Sequence, residues 1–214
     1  MKIINDETAE VYTAYLFVGT LPYSQYSYAE ATLSMDQDDW LLCHVNMFNY
    51  FGATTVRLVS DNLKTGVIKH PKMGEIVLNE AYESLGEHYG MAIMPTGVKK
   101  PKHKASVEGT VGKFATAIIA KLRHQEFHSL YELNKAILKA VDAFNAEPFQ
   151  KRDGSRKEIF ESMEKPSMKP LPAKPFELSS WSYSHKVGYN SHIVFQKNFY
   201  SAPFQYISKM VDIK

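Results

Sequence analysis

The chain has 214 residues, 44% hydrophobic and 13% aromatic, which is enough for one good-sized core plus a smaller appendage and argues against intrinsic disorder. With 25 basic against 23 acidic residues the formal net charge is only +2, so overall charge does not mark a nucleic-acid binder and any such role rests on local lysine clusters. One cysteine, Cys43, excludes an internal disulfide and suits a reducing cytoplasm, and no apolar run approaches the roughly 20 residues that span a bilayer, so a soluble cytoplasmic protein with no membrane partner is expected.

In chain order, residues 11–21 and 26–33 are rich in β-branched and aromatic residues around Pro22-Tyr-Ser-Gln and predict an antiparallel hairpin, with Tyr12, Tyr15, Phe17, Tyr23, Tyr26 and Tyr28 packing the sheet. Residues 36–51 switch to helical spacing, with Leu41, Val45, Phe48 and Phe51 on one stripe, Asp36 or Asp38 as cap and Gly52 as terminator. A short apolar strand then leads to Asp61. A helix carrying Tyr82, Leu85 and Tyr89 closes at Gly90, and residues 91–95 predict a buried strand. The lysine-rich loop 99–104 precedes a helix whose first turn holds Glu108 and whose apolar stripe is Val107, Val111, Phe114, Ile118 and Leu122. Further helices are expected over 129–146 and 155–163. Pro166, Pro170, Pro172 and Pro175 mark an extended linker, and 181–213 alternates like a small β module. The order predicts an α/β fold, a mixed sheet flanked by helices. The expected organisation is a core over 1–127, a helical extension over 128–165, a linker over 166–175 and a partial β module over 176–214.

Two carboxylates stand out. Asp61 ends a strand and Glu108 opens a helix 47 positions later, with a basic segment between them. Each has an ordinary use, Asp61 as a turn cap beside Asn62 and Glu108 as a first-turn acid favoured by the helix dipole. Together, beside positive charge, they suit divalent ions that act on a phosphodiester, chemistry that normally needs a third carboxylate. Lys99, Lys100, Lys102 and Lys104 are candidate phosphate contacts, with a solvated loop as the alternative. A second cluster, Lys151, Arg152, Arg156 and Lys157, is a further candidate. The eight histidines show no zinc spacing, and neither a P-loop nor a G-x-G-x-x-G element is present.

The stretches Ala14-Tyr-Leu-Phe-Val-Gly-Thr-Leu-Pro-Tyr-Ser-Gln-Tyr-Ser-Tyr-Ala-Glu-Ala, Ser60-Asp-Asn-Leu-Lys-Thr-Gly-Val, Lys102-His-Lys-Ala-Ser-Val-Glu-Gly-Thr-Val-Gly and Asn145-Ala-Glu-Pro-Phe-Gln-Lys-Arg-Asp-Gly-Ser-Arg, continuing to Tyr200-Ser-Ala-Pro-Phe, resemble the IstA-type transposases of bacterial insertion sequences. The resemblance implies an RNase H-like integrase core with a DDE triad, Mg2+ or Mn2+ as cofactor, DNA as substrate, a homo-oligomer and an IstB-type ATPase helper. By motif it makes Asp61 the second acid and Glu108 the third. The family's first Asp, on its opening strand, has no counterpart here, since Asp6 aligns with the turn that follows. The expectation is therefore a chain truncated at both ends, with an incomplete carboxy-terminal barrel. Such a chain keeps the fold and a DNA-facing surface with impaired strand transfer; the alternative is a non-catalytic DNA-binding or assembly module.

Overall fold

Residues 1–32 form two ladders that share one extended run over 11–20. β1 (Lys2–Ile4) pairs antiparallel with β2 (Val11–Thr13), Ile3 opposite Tyr12, and β3 (Tyr15–Thr20) pairs antiparallel with β4 (Ser27–Thr32), Phe17 opposite Glu30. The expected hairpin therefore forms, but its first arm changes partner at Ala14. β1 and β4 lie on opposite edges of this run, and β4 stops at Thr32, where the chain turns away with the Thr32 hydroxyl donating to Ser34 O (2.6 Å) and the Ser34 hydroxyl to Asp39 (2.7 Å). The computed structural model describes residues 1–60, 67–69, 77–95, 101–179 and 182–213, with the backbone alone for 67–69, 77–78, 95 and 101–108.

Helix α1 (Gln37–Phe51) is capped by Asp36, whose carboxylate accepts from Asp39 N, and ends at Gly52 in the left-handed region (φ +66°), where a Cβ is unfavourable. Its stripe of Leu41, Val45, Phe48 and Phe51 is buried as the spacing predicts, with Cys43 beside it. Met47 of α1 lies so close over β3 that a Cβ on Gly19 would sit 2.0 Å from its sulfur, so a larger residue there would have to displace the Met47 side chain. β5 (Arg57–Ser60) follows, then β6 (Val67–Lys69) paired antiparallel with β7 (Val77–Leu78), α2 (Glu80–His88) and β8 (Ala92–Pro95), which runs parallel to β5. Tyr82, Leu85 and Tyr89 are buried on the inner face of α2 as expected, Tyr82 against Trp40 and Tyr89 against Phe48 of α1.

Helix α3 spans Pro101–Leu122, and α4 (Leu130–Ala146) is capped by Ser129, which accepts from Glu132 N. Phe114, Ile118 and Leu122 of α3 and Leu133, Ile137 and Val141 of α4 interlock in a core that also takes Ile3, Ala29 and Ala31 from the strands. Two asparagines fix α4 against the sheet. Asn134 accepts from Ala31 N (2.6 Å) and donates to Ala31 O (2.9 Å), and Asn145 accepts from Ser27 N (3.0 Å) and donates to Ser27 O (2.8 Å). The asparagines are three helical turns apart, roughly 16 Å, close to the roughly 13 Å between β-carbons four residues apart on a strand. α4 thus runs antiparallel to β4 and covers its outer edge.

The helix expected over 155–163 is a single α-turn, α5 (Arg156–Ile159), opened by a Ser155/Glu158 capping box and followed by a π-turn over Phe160–Glu164. Phe160 stacks on Tyr26 with ring centroids 4.3 Å apart, and Glu164 accepts from Ser24 N (3.0 Å), pinning the β3–β4 turn. The proline-rich segment is held down rather than extended free of the core. Lys169 and Thr54 exchange backbone hydrogen bonds (2.8 and 2.9 Å), the Lys169 ammonium donates to Gly90 O (2.6 Å), and Phe176 packs on His88 and Tyr89. The compact unit containing the sheet accordingly runs over Met1–Phe176, and Glu177–Lys214 forms a second.

In the second unit β9 (Ser182–Lys186) pairs antiparallel with β12 (Met210–Ile213), and β10 (His192–Phe195) with β11 (Asn198–Ser201). The β10–β11 turn is Gln196-Lys197, both at positive φ (47° and 65°), the geometry that favours Asn-Gly. Replacing the pair by Gln196→Asn with Lys197→Gly should stabilise this hairpin by about 1 kcal/mol. Slower amide exchange across β10–β11 is the expected sign, and unchanged exchange would contradict it.

Candidate functional site

Ser60 is opposite Pro95 in the parallel register, which puts both at the carboxyl-terminal end of the β5–β8 ladder, where sites in parallel sheets form. Asp61, Lys99 and Lys100 themselves lie outside the described residues. Lys102, Lys104 and Glu108 lie in α3, described there by their backbone.

That placement corrects two expectations. The basic segment is not a loop throughout, because α3 begins at Pro101 and takes Lys102 and Lys104 into its first turn. Proline has no N–H to leave unpaired at a helix start and its φ is already helical, so it nucleates the helix earlier than the apolar stripe suggests. Glu108 is consequently the eighth helical residue rather than a first-turn acid. The dipole effect fades within the first turn, so the ordinary reason for an acid at 108 is removed.

Other candidates separate clearly. Asp6 is an exposed turn acid paired with His128 (2.6 Å). Among the described residues no group of three His, Cys, Asp or Glu side chains is arranged to hold a metal. The second basic cluster is partly structural. Arg156 lies 3.9 Å over the Phe144 ring and donates to Phe144 O (3.2 Å), with burial lowering its pKa, while Arg152 lies 4.1 Å over Phe149. Among the hairpin aromatics Tyr26 and Tyr28 are buried as sheet packing, but Tyr12, Tyr15 and Tyr23 are 40% exposed or more, which the sequence reading did not anticipate.

Directly after Glu108, α3 presents an open face of small residues, Gly109, Gly112, Thr116 and Ala120, that sequence reasoning passed over. The available signal was two helical glycines three apart with no turn to explain them. A Cβ on Gly112 meets nothing within 4 Å, so Gly112→Ala should raise stability by about 1 kcal/mol from helix propensity alone. An upward shift of the thermal midpoint checks this; a downward shift would show packing that the open face does not reveal.

Comparison with known proteins bears on the fold. Residues 171–214 match the family model of the Mu transposase C-terminal domain. A putative transposase of Sinorhizobium fredii is 36% identical over 214 residues, all of this chain and 41% of the relative. The putative transposase for insertion sequence IS1162 of Pseudomonas fluorescens is also 36% identical over 214 residues, covering 38% of that protein. The chain thus spans about two fifths of the length of the curated relatives it matches. Among solved structures, the catalytic core domain of BIV integrase superposes with a TM-score of 0.52 at 14% identity, over 78% of this chain and 93% of that one. The HTLV-2 integrase catalytic core in complex with magnesium gives 0.51 at 13%, over 75% and 90%. These likenesses establish an RNase H-like integrase fold, and along all of its own length the chain is similar to bacterial proteins described as putative transposases, one of them of an insertion sequence.

Proposed function

We propose that this chain supplies the integrase-like core and following β module of a DDE transposase of the IstA type, which cuts and joins DNA at the ends of an insertion sequence. The observation that carries the reading is similarity along all 214 residues to insertion-sequence transposases. In this reading Asp61 and Glu108 are the acids that hold Mg2+ or Mn2+. Their oxygen donors are of the kind these hard cations prefer, and Glu108 has no first-turn role to account for it. When bound, the ions stabilise charge on the attacking and leaving oxygens of a phosphodiester. Lys99, Lys100, Lys102 and Lys104 hold phosphates beside them, giving affinity that falls with salt and is independent of sequence. The intact transposase works on DNA as a homo-oligomer with an IstB-type ATPase helper.

Titration with Mn2+ alone tests the acid assignment without requiring strand transfer. Asp61→Asn and Glu108→Gln should each weaken Mn2+ binding by more than about tenfold, while leaving the circular dichroism spectrum unchanged. Binding of a short DNA duplex should weaken steeply with salt, and Lys102→Ala or Lys104→Ala should each reduce the log–log salt slope by about one. Unchanged Mn2+ affinity in both acid variants would overturn the metal assignment, and salt-independent or absent duplex binding the DNA assignment.

A further inference from the structure

The turn between α4 and α5 gathers positive charge around one aromatic ring. Phe149 N donates to Gly154 O at 3.0 Å and Pro148 bridges Ser155, with Gly154 in the left-handed region (φ +83°), so the turn over 150–153 is closed on itself. Two guanidiniums share the Phe149 ring. Arg152 lies 4.1 Å from its centroid and Arg156 4.8 Å, and Arg156 is held further over Phe144 by its bond to Phe144 O (3.2 Å). Stacking occupies the face of a guanidinium and leaves its edge N–H donors for acceptors. Few acceptors are present. Arg152 has one long bond to Tyr23 O (3.5 Å), and Arg156 Nε is buried without a partner. Among the described residues neither guanidinium forms an ion pair: Glu147 goes to Lys121 (2.7 Å), Glu158 accepts from Ser155 N (2.8 Å), and the exposed Asp153 pairs with neither arginine. Burial lowers the Arg156 pKa, with Glu147 opposing that and Arg152 adding to it, so the two cations repel.

We propose that Arg152 and Arg156 bind a phosphate of the DNA backbone through their unpaired N–H groups, a contact separate in sequence from Asp61 and Glu108. A phosphate supplies the missing acceptors and offsets the repulsion between the cations. Stacking restricts both side chains beforehand, which reduces the ordering cost of binding. Lys151, exposed on the same turn, adds charge without a fixed geometry. A solvated basic turn is the ordinary fate of such a run, but it does not account for two arginines held on one ring. Only the choice of DNA as the source of the phosphate rests on the transposase reading; the arginine geometry is independent of it.

Titration of the full chain with a short DNA duplex over a range of salt tests the site. Arg152→Gln should weaken binding about tenfold and reduce the log–log salt slope by about one. Arg152→Lys keeps the charge and loses the fork, so it should keep the slope and still weaken binding several-fold. Arg152 is exposed, so both variants should retain the circular dichroism spectrum of the parent chain. In side-chain arginine NMR spectra, micromolar duplex should shift the Nε–H signals of Arg152 and Arg156, and inorganic phosphate should do so only at millimolar concentration. An unchanged slope in Arg152→Gln, or an Arg152→Lys chain that binds like the parent, overturns the site and leaves the transposase reading standing. Shifts with inorganic phosphate alone assign a free anion and overturn the choice of DNA. Absence of duplex binding by the parent chain overturns the DNA assignment in the transposase reading, and with it this source of phosphate.

Discussion

Replacing Asn145 by leucine should lower the stability of the Met1–Phe176 unit by about 3–5 kcal/mol, or about 10 °C in the thermal midpoint. Asn145 and Ser27 are fully buried, and the Asn145 amide bonds both Ser27 N and Ser27 O while also donating to the Tyr50 hydroxyl at 3.1 Å. Leucine matches its volume but leaves two buried backbone groups and a phenol without those partners, and α4 covers them from water. The cost is desolvation of the abandoned groups, which exceeds the net worth of the bonds themselves. Asn145→Ala should cost at least as much, because it adds a cavity. Thermal and urea unfolding of the two variants measure the effect; a loss under about 1 kcal/mol in Asn145→Leu would show that water replaces the amide.

Acidification from pH 6.5 to 4 should cost the same unit about 3 kcal/mol through His44 alone. The imidazole is 4% exposed, enclosed by the rings of Phe17, Trp40 and Tyr82, with Nδ1–H donating to Trp40 O at 2.8 Å. Burial lowers its pKa from 6.5 to about 4, against a smaller opposing effect of the Trp40 hydrogen bond. Between those values the unfolded chain takes up a proton that the folded chain refuses, so stability is full above pH 6.5 and falls as pH drops towards 4. His44→Phe keeps an aromatic ring in the cage and should flatten the dependence above pH 5, where ordinary carboxylates contribute little. Parallel slopes in the two proteins between pH 6.5 and 5 would show that His44 is protonated in the fold.

These two residues also mark where the sequence stops being informative. Asn145 reads as a polar residue near a helix end and His44 as one of eight histidines without a metal spacing; neither partner lies within 25 positions for Asn145, and the His44 cage draws on three separate elements. The proline segment reads as a linker because proline density sets local stiffness, but its docking on Thr54 and Gly90 depends on residues about 80 to 115 positions away.

The sequence by itself determined α1, α2 and α4, their buried stripes, and the Asp36 cap and Gly52 end of α1, because helical spacing and capping are satisfied within a few residues. It determined a short strand before Asp61, the α/β class and, through several ordered motifs, a resemblance to insertion-sequence transposases. Only the tertiary structure decided that α3 starts at Pro101 and carries Glu108 two turns inside it. Only there does the first hairpin arm divide between β1 and β4, Arg156 stack on Phe144, and α4 close the outer edge of β4. Each of these turns on which backbone and side-chain groups are left to pair once the layers have packed, a long-range competition that local pattern does not encode.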